Sequence, residues 1–284
     1  MPITISSIKN ALQDAQIKLE DIGDSAQLEA EVLLAHTLEC DRSYLRSWPE
    51  KALSSVQHTL FQQLLNRRCT GEPIAYITGQ REFWDMTLQV SPDTLIPRPE
   101  TEHLVELALE NIPQDAQWNI ADLGTGCGAI ALAIARERPH CNILATDTSA
   151  AALTIAQTNA RNLNVKNITF TESHWFDSVS GQSFEMIVSN PPYIHPNDEH
   201  LNLGDLRYEP LQALRSTPDG LTDLLSISET ARDHLAPPGW IILEHGFDQG
   251  SAVKKTLENL GFSQVSTRED LAKNERVSIG KWNR

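Results

Sequence analysis

The sequence predicts an α/β fold in which a helical N-terminal region precedes a doubly wound, mainly parallel sheet. From about residue 118 onward, short apolar runs alternate with longer segments of helical periodicity, which is typical of a parallel sheet covered by helices. Residues 1 to about 73 show helical periodicity alone. The expected strands lie near 118–123, 142–147, 167–171, 184–189, 238–244, 264–267 and 276–282, and the expected helices near 128–138, 149–162, 219–236 and 248–260.

Three apolar stripes predict the helices of the N-terminal region. The stripes consist of Ile8, Leu12 and Ile17; of Leu28, Val32, Leu33 and Leu34; and of Leu53, Leu60, Leu64 and Leu65. Asp24 or Ser25 is a candidate N-cap of the second helix, and the third helix should end near Gly71 and Pro73. A region of this size has few residues for a core, so we expect it to pack on the rest of the chain or to hold a partner.

Residues 74–95 have the composition of a β-hairpin that links two domains. Strand-forming side chains are frequent there, and Gly79 would supply a turn; the strand formers are Tyr76, Ile77, Phe83, Trp84, Met86, Leu88 and Val90. The next segment carries two prolines and should open a helix at Glu102. Within it, Arg98 is either an internal ion-pair partner or a docking residue, and the sequence leaves both interpretations open.

A glycine-rich turn follows the first strand of the expected sheet, within segment 120–130. Such a turn allows the backbone to approach a ligand closely and aims the N–H groups of a helix start at it. An acidic residue, Asp147, ends the next strand 23 residues beyond Gly124, which is near the spacing of an acid that binds ribose hydroxyls. The pattern therefore predicts a nucleotide-type cofactor site.

Two cofactor classes fit this turn. Gly124, Gly126 and Ala129 satisfy a variant of the fingerprint of nicotinamide dinucleotide sites. Asp122, just before the first glycine, would repel a pyrophosphate, whereas its carboxylate suits the ammonium group of S-adenosylmethionine. A carboxylate that merely caps the turn is a third interpretation of Asp122.

The most informative motif is Asn190-Pro191-Pro192-Tyr193, which directly follows an apolar strand. Each proline fixes its own φ and disfavours a helical conformation of the residue before it, so the motif forms a rigid corner. The corner lies at the carboxyl end of a strand, where open α/β sheets bind their ligands. It presents an amide, backbone carbonyls and an aromatic ring, which suit a planar group that carries –NH2. An ordinary turn remains the alternative.

Together these segments resemble the bacterial-type protein-(glutamine) methyltransferases that act on class I peptide chain release factors. The resemblance rests on segments spread over essentially the whole chain, namely 96–102, 122–128, Asp147, Trp175-Phe176, 189–194, 243–246 and 274–277. The Asn-Pro-Pro-Tyr motif alone is shared with enzymes that methylate amino groups of nucleic-acid bases. Its combination with Pro97-Arg98-Pro99-Glu100-Thr101-Glu102 is far more specific.

The resemblance implies a helical substrate-binding domain over residues 1–73, a β-hairpin linker over 74–95 and a seven-stranded, Rossmann-like class I methyltransferase domain over 96–284, with the last strand antiparallel. It implies methylation of the glutamine side-chain nitrogen in the Gly-Gly-Gln motif of release factors, with S-adenosyl-L-methionine as methyl donor. The implied catalytic residues are Asn190, Pro191, Pro192 and Tyr193, and the implied cofactor-binding residues are Asp122, Gly124, Thr125, Gly126, Cys127, Gly128, Asp147, Trp175 and Asn190. At His174 the sequence departs from the family, which often has an acid before the tryptophan.

Composition narrows the class of partner. The 284-residue chain has a net charge of −15, which disfavours a DNA or large-RNA substrate and favours a protein. We expect no membrane span, no secretory signal and hence a cytoplasmic location. The histidines show no metal-binding spacing, so no metal is expected, and the cysteines form no C-x-x-C pair. A monomer is the default expectation.

Segment 194–218 is a long polar loop, and loops of this length are usually functional. We expect it to cover the site and to become ordered when substrate binds, the alternative being a flexible surface insertion. The nearest rival function is an amino-methyltransferase of adenine or guanine in nucleic acid. A nicotinamide-dependent oxidoreductase and a non-catalytic binding module are further rivals, although neither explains the Asn-Pro-Pro-Tyr motif.

Overall fold

The computed structural model describes residues 6–20, 22, 25–216 and 220–284. The chain divides into two compact units. The first extends to Gly79 and also includes Leu203–Tyr208, and the second consists of Gln80–Asn202 and Glu209–Arg284. In the described residues, no helix combines the length and the apolar composition that a membrane span requires.

The first unit is helical, as predicted. It contains α1 (Ile8–Leu19), α2 (Ala26–Leu38), α3 (Arg42–Ser47), α4 (Ser55–Cys69) and α5 (Ile74–Thr78). Its core is formed by aliphatic side chains around one buried aromatic ring, Phe61. Helix α4 begins with a capping box, because the Ser54 hydroxyl accepts from the Gln57 amide while the Gln57 side chain accepts from the Ser54 amide.

Two details of the predicted helices need correction. The buried stripe of α1 is Ile8, Ala11, Ala15 and Leu19, and Ile17 lies on the outer face with 67% of its surface exposed. Small alanines at i+3 and i+7 allow close helix packing, so apolar size alone misplaced the stripe. At α2, Ser25 occupies the N-cap position without a side-chain cap bond, and Asp24 lies outside the described residues.

The expected hairpin begins later than predicted. Its strands are β1 (Gln80–Phe83) and β2 (Met86–Gln89), which pair antiparallel. Tyr76 and Ile77, predicted as strand residues, lie in α5 instead. Gly79 has a φ of +71° and ends that helix in the left-handed conformation, so it is a helix terminator and not the hairpin turn.

A seven-stranded sheet forms the centre of the second unit, as predicted. Its strands are β3 (Asn119–Leu123), β4 (Asn142–Asp147), β5 (Ile168–Glu172), β6 (Phe184–Ser189), β7 (Leu235–Glu244), β8 (Ser263–Glu269) and β9 (Glu275–Trp282). They are ordered β5-β4-β3-β6-β7-β9-β8, and β9 runs antiparallel to both of its neighbours. The helices of this unit are α6 (Glu102–Asn111), α7 (Ala129–Glu137), α8 (Ala150–Asn162), the short α9 (Leu211–Leu214), α10 (Thr222–His234) and α11 (Gly250–Asn259). The expected helix start at Glu102 is confirmed.

The register of the central strands places four loops side by side. Leu123 pairs with Thr146 of β4 and with Ser189 of β6, and Ser189 pairs with Leu243 of β7. Neighbouring strands lie about 4.8 Å apart. The residues that follow these pairs therefore meet at one edge of the sheet, where doubly wound folds bind ligands.

Candidate active site

The glycine-rich turn after β3 is held by backbone hydrogen bonds to the next strand. The amides of Gly124 and Thr125 both donate to the carbonyl oxygen of Thr146, at 2.9 and 2.8 Å. The Gly126 amide donates to Oδ2 of Asp147 at 2.9 Å, and the Ser149 amide donates to Oδ1 at 2.9 Å. Asp147 therefore fixes the turn and also lines the cavity that lies against it.

The three glycines of the turn serve different physical purposes. A Cβ on Gly126 would meet no atom within 4 Å, so its backbone faces open space. A Cβ on Gly124 would lie 3.3 Å from the Trp175 ring, and one on Gly128 would lie 3.0 and 3.2 Å from Leu132 and Ala156. Gly126 thus leaves room for a ligand, whereas Gly128 allows α7 to pack closely against α8.

A cavity of about 340 Å³ opens at this edge of the sheet. Six of the residues implied as site residues line it, namely Gly124, Gly126, Asp147, Trp175, Asn190 and Pro192. The other six, which are Asp122, Thr125, Cys127, Gly128, Pro191 and Tyr193, are not among its lining residues in the described part of the chain. The structure thus brings half of the set together at the cavity.

Asp122 is completely buried near the turn. Its Oδ2 accepts from the Thr125 hydroxyl at 2.6 Å, whereas Oδ1 has no partner in the described residues. Burial raises the pKa of this carboxyl to about 7, because desolvation disfavours the charged form. The Cys127 thiol is also buried, and burial raises its pKa to about 12, so it remains a protonated thiol at neutral pH and is a poor nucleophile.

Trp175 lines the cavity and packs against the glycine turn at Gly124. Its backbone has a φ of +46°, which is uncommon for a bulky residue, and its buried Nε1–H has no acceptor in the described residues. An orphaned donor beside a cavity suits an acceptor on a ligand. His174 lines the same cavity with its ring centre 5.5 Å from that of Trp175, although its side chain is largely exposed.

The corner after β6 presents the Asn190 amide with a defined direction. Its Nδ2 donates to the Thr101 hydroxyl at 3.3 Å, and Oδ1 has no partner among the residues that the structure describes. Pro191 is buried behind it, and Pro192 lines the cavity. Tyr193 packs against the hydrophobic core, with its hydroxyl 3.5 Å from Oε1 of Glu244. The corner thus offers a free carbonyl oxygen at the cavity.

Several residues that shape this site were not predicted from the sequence. Glu209 is buried, accepts from the Ile96 amide at 2.9 Å and forms an ion pair with Arg98, so Arg98 is an internal partner. Asn159 of α8 donates to the carbonyl oxygen of Cys127 at 2.9 Å and exchanges two hydrogen bonds with Gln89 of β2. An asparagine on the buried face of a helix is a weak signal in the sequence, and Glu209 gives none.

The long polar loop is ordered into short pieces. Residues Glu199–Asn202 and Gly204–Tyr208 form 3₁₀ turns, and α9 follows. Its later part lines the cavity through Pro210, Gln212, Ala213 and Arg215. Leu203–Tyr208 belongs to the helical unit, where Asp205 pairs with Arg68. The expectation that the loop becomes ordered on substrate binding stays a prediction, and its residues 217 and 218 lie outside the described part.

Comparisons with known proteins show the family to which the chain is related. The PrmC N-terminal domain family matches residues 10–79, and the methyltransferase small domain family matches residues 102–206. A release factor glutamine methyltransferase of Shewanella oneidensis is 48% identical over 277 residues, which cover 98% of this chain and 96% of the relative. One of Escherichia coli is 47% identical over 259 residues, covering 91% of this chain and 93% of the relative.

A solved structure shares the fold at low identity. It is the Thermus thermophilus 16S rRNA N2 G1207 methyltransferase (RsmC) in complex with AdoMet and guanosine. The TM-score is 0.54 and the identity 19%, over 72% of this chain and 50% of that one. This similarity shows the methyltransferase fold and nothing about the substrate.

Proposed function

The chain belongs to the release factor glutamine methyltransferase family, and from this premise we propose the reaction that it performs. The methyl group of S-adenosyl-L-methionine is transferred to the side-chain amide nitrogen of the glutamine in the Gly-Gly-Gln motif of class I peptide chain release factors. The observation that carries this proposal is the Asn190 corner, where a free amide oxygen lies at the cavity beside the glycine turn.

The residues at the cavity fit S-adenosylmethionine. The Gly126 backbone has open space in front of it, Asp147 is the acid expected for ribose hydroxyls, and the orphaned Nε1–H of Trp175 can donate to the bound molecule. Asp122 acts through Thr125, from whose hydroxyl it accepts a hydrogen bond. It also acts through its charge near the ammonium group of S-adenosylmethionine. Gly124, Gly128 and Cys127 keep the turn in shape. When bound, S-adenosylmethionine supplies an electrophilic methyl group.

The chain's own task is to hold the glutamine amide. Its nitrogen is a poor nucleophile because the lone pair is delocalised into the carbonyl group. Asn190 Oδ1 and the Pro191 carbonyl oxygen accept its two N–H bonds, which orients the nitrogen and increases its lone-pair character. Tyr193 and the two prolines make the corner rigid, so little reorganisation is needed.

We assign the helical N-terminal domain, residues 1–73, to holding the release factor, with residues 74–95 as a linker to the catalytic domain, residues 96–284. A monomer with a single protein substrate at a time is sufficient for this reaction. The net charge of −15 supports a protein partner without direct nucleic-acid contact, because phosphate backbones are bound by basic faces.

The test is methyl transfer from radiolabelled S-adenosylmethionine to a purified release factor, beside the same release factor with the Gly-Gly-Gln glutamine changed to alanine. We expect label on the first and none on the second. Equal labelling of both would place the methyl group elsewhere on the protein. Label that appears only when RNA or DNA is added would instead assign the chain to the base-methylating rival.

A further inference from the structure

The geometry points to Gln249 as a positioning residue, whose side-chain amide joins the corner after β6 to the turn after β7 and to the segment before α10. This inference rests on the proposed function, because the position of the corner matters only if the corner accepts from the glutamine amide. Gln249 is partly buried and is not among the lining residues of the cavity in the described part of the chain, so any effect on the reaction passes through the backbone that it holds.

Three hydrogen bonds hold the Gln249 amide in one orientation. Its Oε1 accepts from the Gly246 amide at 2.8 Å. Its Nε2 donates to the carbonyl oxygen of Tyr193 at 3.2 Å and to that of Gly220 at 3.1 Å. A flipped amide would place its oxygen against two carbonyl oxygens and its –NH2 group against an N–H donor. The site therefore needs one acceptor and two donors on a single planar group, which a glutamine supplies and a glutamate does not.

The corner needs such an anchor because its own backbone has few donors. Pro191 and Pro192 have no N–H group, so neither can be tied through a backbone amide. The first backbone groups after them are held twice. Gln249 donates to the Tyr193 carbonyl oxygen, and the amide and carbonyl groups of Ile194 each form a 3.0 Å hydrogen bond with the returning arm of the long loop. Gln249 thus fixes the chain just beyond the Pro191 carbonyl, one of the two proposed acceptors.

Two glycines make room for this amide. Gly220 has a φ of +64°, and a Cβ there would lie 2.7 Å from Gln249 Nε2 and 3.1 Å from the Tyr193 carbonyl oxygen. A Cβ on Gly246 would lie 3.1 Å from Gln249 Oε1. Side chains at these positions would crowd the amide, so the glycines permit its close approach. Because β6 and β7 pair in parallel, the corner and the turn after β7 lie side by side, and Gln249 spans them.

Two variants test the donors of the amide separately from its bulk. Gln249→Met removes all three hydrogen bonds at similar length. Gln249→Glu keeps the acceptor but places a carboxylate oxygen opposite two carbonyl oxygens, and only its protonated form regains one donor. Gln157→Glu on α8 is the matched control, because it makes the same change of charge at an exposed side chain that forms no hydrogen bond in the described residues.

The measurements are the single-turnover rate of methyl transfer to the release factor at pH 6 and pH 8 and the Kd of S-adenosylmethionine by calorimetry. The titratable or charged groups on the elements that meet at position 249 are Tyr193, Asp223, His245, Asp248, Glu275 and Arg276. The parent carries the same groups. Each variant rate is therefore divided by the parent rate at the same pH, which removes their titration from the comparison.

We expect Gln249→Met to slow single turnover about tenfold at both pH values, since the carbonyl groups that it leaves unpaired can move. Gln249→Glu should be slower still at pH 8 and should recover by about threefold or more, relative to the parent, at pH 6, because protonation restores a donor. Gln157→Glu should stay near the parent rate at both pH values. The cofactor Kd should change less than about twofold in each variant, since Gln249 forms no side-chain hydrogen bond with the glycine turn.

A Gln249→Met enzyme as fast as its parent would overturn the inference. So would a Gln249→Glu defect of equal size at both pH values, or a cofactor Kd that rises by the factor by which the rate falls, because Gln249 would then support the domain as a whole.

The release factor with alanine in place of the Gly-Gly-Gln glutamine separates the two levels. A parent that labels only the intact release factor, with Gln249 variants as fast as it, removes the role of Gln249 and leaves the proposed function. A parent that labels both release factors equally removes the proposed function, and the role of Gln249 with it.

Discussion

The glycine turn and the Asn-Pro-Pro-Tyr corner lie side by side at one sheet edge but are held in different ways. The turn is fixed by backbone amides that bond to Thr146 and Asp147, within a stretch of 24 residues from Gly124 to Asp147. The corner is fixed by side chains from afar, since Thr101 lies 89 residues before Asn190. The proposed cofactor site is thus encoded locally, whereas the proposed substrate site depends on the folded domain.

The largest effect should come from the corner. Asn190→Ala removes the amide oxygen that we propose as the acceptor for the glutamine amide, and we expect a loss of about 10²–10³-fold in single-turnover rate. The cofactor Kd should change little, because the glycine turn makes no hydrogen bond to this side chain in the described residues. Rapid-quench single-turnover assays and calorimetry measure the two quantities. A fall in affinity with an unchanged rate would reverse the assignment of the two regions.

The next effect should come from the turn. Asp147→Asn keeps the shape but loses a charge that accepts from the Gly126 and Ser149 amides. We expect the Kd of S-adenosylmethionine to rise about 10–100-fold, since a charge-assisted hydrogen bond contributes roughly 1.5–3 kcal/mol. The rate at saturating cofactor should fall far less. Calorimetry with the isolated protein checks this, and an unchanged Kd would remove Asp147 from the site.

Two alanine variants sharpen the difference within the turn itself. Gly128→Ala places a methyl group 3.0 Å from Leu132, so we expect it to lower the free energy of unfolding by about 1–3 kcal/mol. The methyl group of Gly126→Ala would meet no atom, so we expect the free energy of unfolding to fall by only about 1 kcal/mol, because the backbone φ of +56° is unfavourable for alanine. The same variant should weaken cofactor binding. Chemical denaturation and calorimetry separate the two, and equal destabilisation would contradict the assigned roles.

The smallest effect concerns pH. Asp122 has a pKa of about 7 in the fold against 3.8 in the unfolded chain, so the folded state binds the proton more tightly. The stabilisation that comes from this tighter proton binding is therefore complete at low pH and is lost as the pH rises from about 4 to 7. Asp122→Asn has no titrating carboxyl at this position and so does not lose this stabilisation. Its free energy of unfolding, relative to that of the parent, should therefore rise by about 1–2 kcal/mol between pH 5 and 7.5. Denaturation at both pH values tests this, and a constant difference would refute it.

The sequence predicted most of the sheet because apolar strands and helical repeats are local signals. Every expected strand of the seven-stranded sheet is found within a few residues, and the antiparallel last strand is confirmed. It also predicted the glycine turn and Asp147, which are close together in the chain. The hairpin start was misplaced because Gly79 terminates a helix, a role that depends on the preceding turn.

Long-range contacts account for what the sequence could not predict. Arg98 left two interpretations open until the structure placed Glu209, 111 residues later, against it. The carboxyl of Glu244 gave no sign of its proximity to the Tyr193 hydroxyl, because nothing in either segment specifies the register between β6 and β7. Tyr193 was expected at the substrate amide, yet its ring packs on the core and does not line the cavity. Its catalytic role stays a prediction.

The most direct test of the account measures the cofactor Kd and the single-turnover rate on the same two variants, Asn190→Ala and Asp147→Asn. We expect opposite profiles: Asn190→Ala should be slow while its cofactor Kd stays nearly normal, and Asp147→Asn should bind the cofactor weakly while its rate at saturating cofactor stays nearly normal. Two variants that lower both quantities by similar factors would contradict it, because the turn and the corner would then be a single coupled structure.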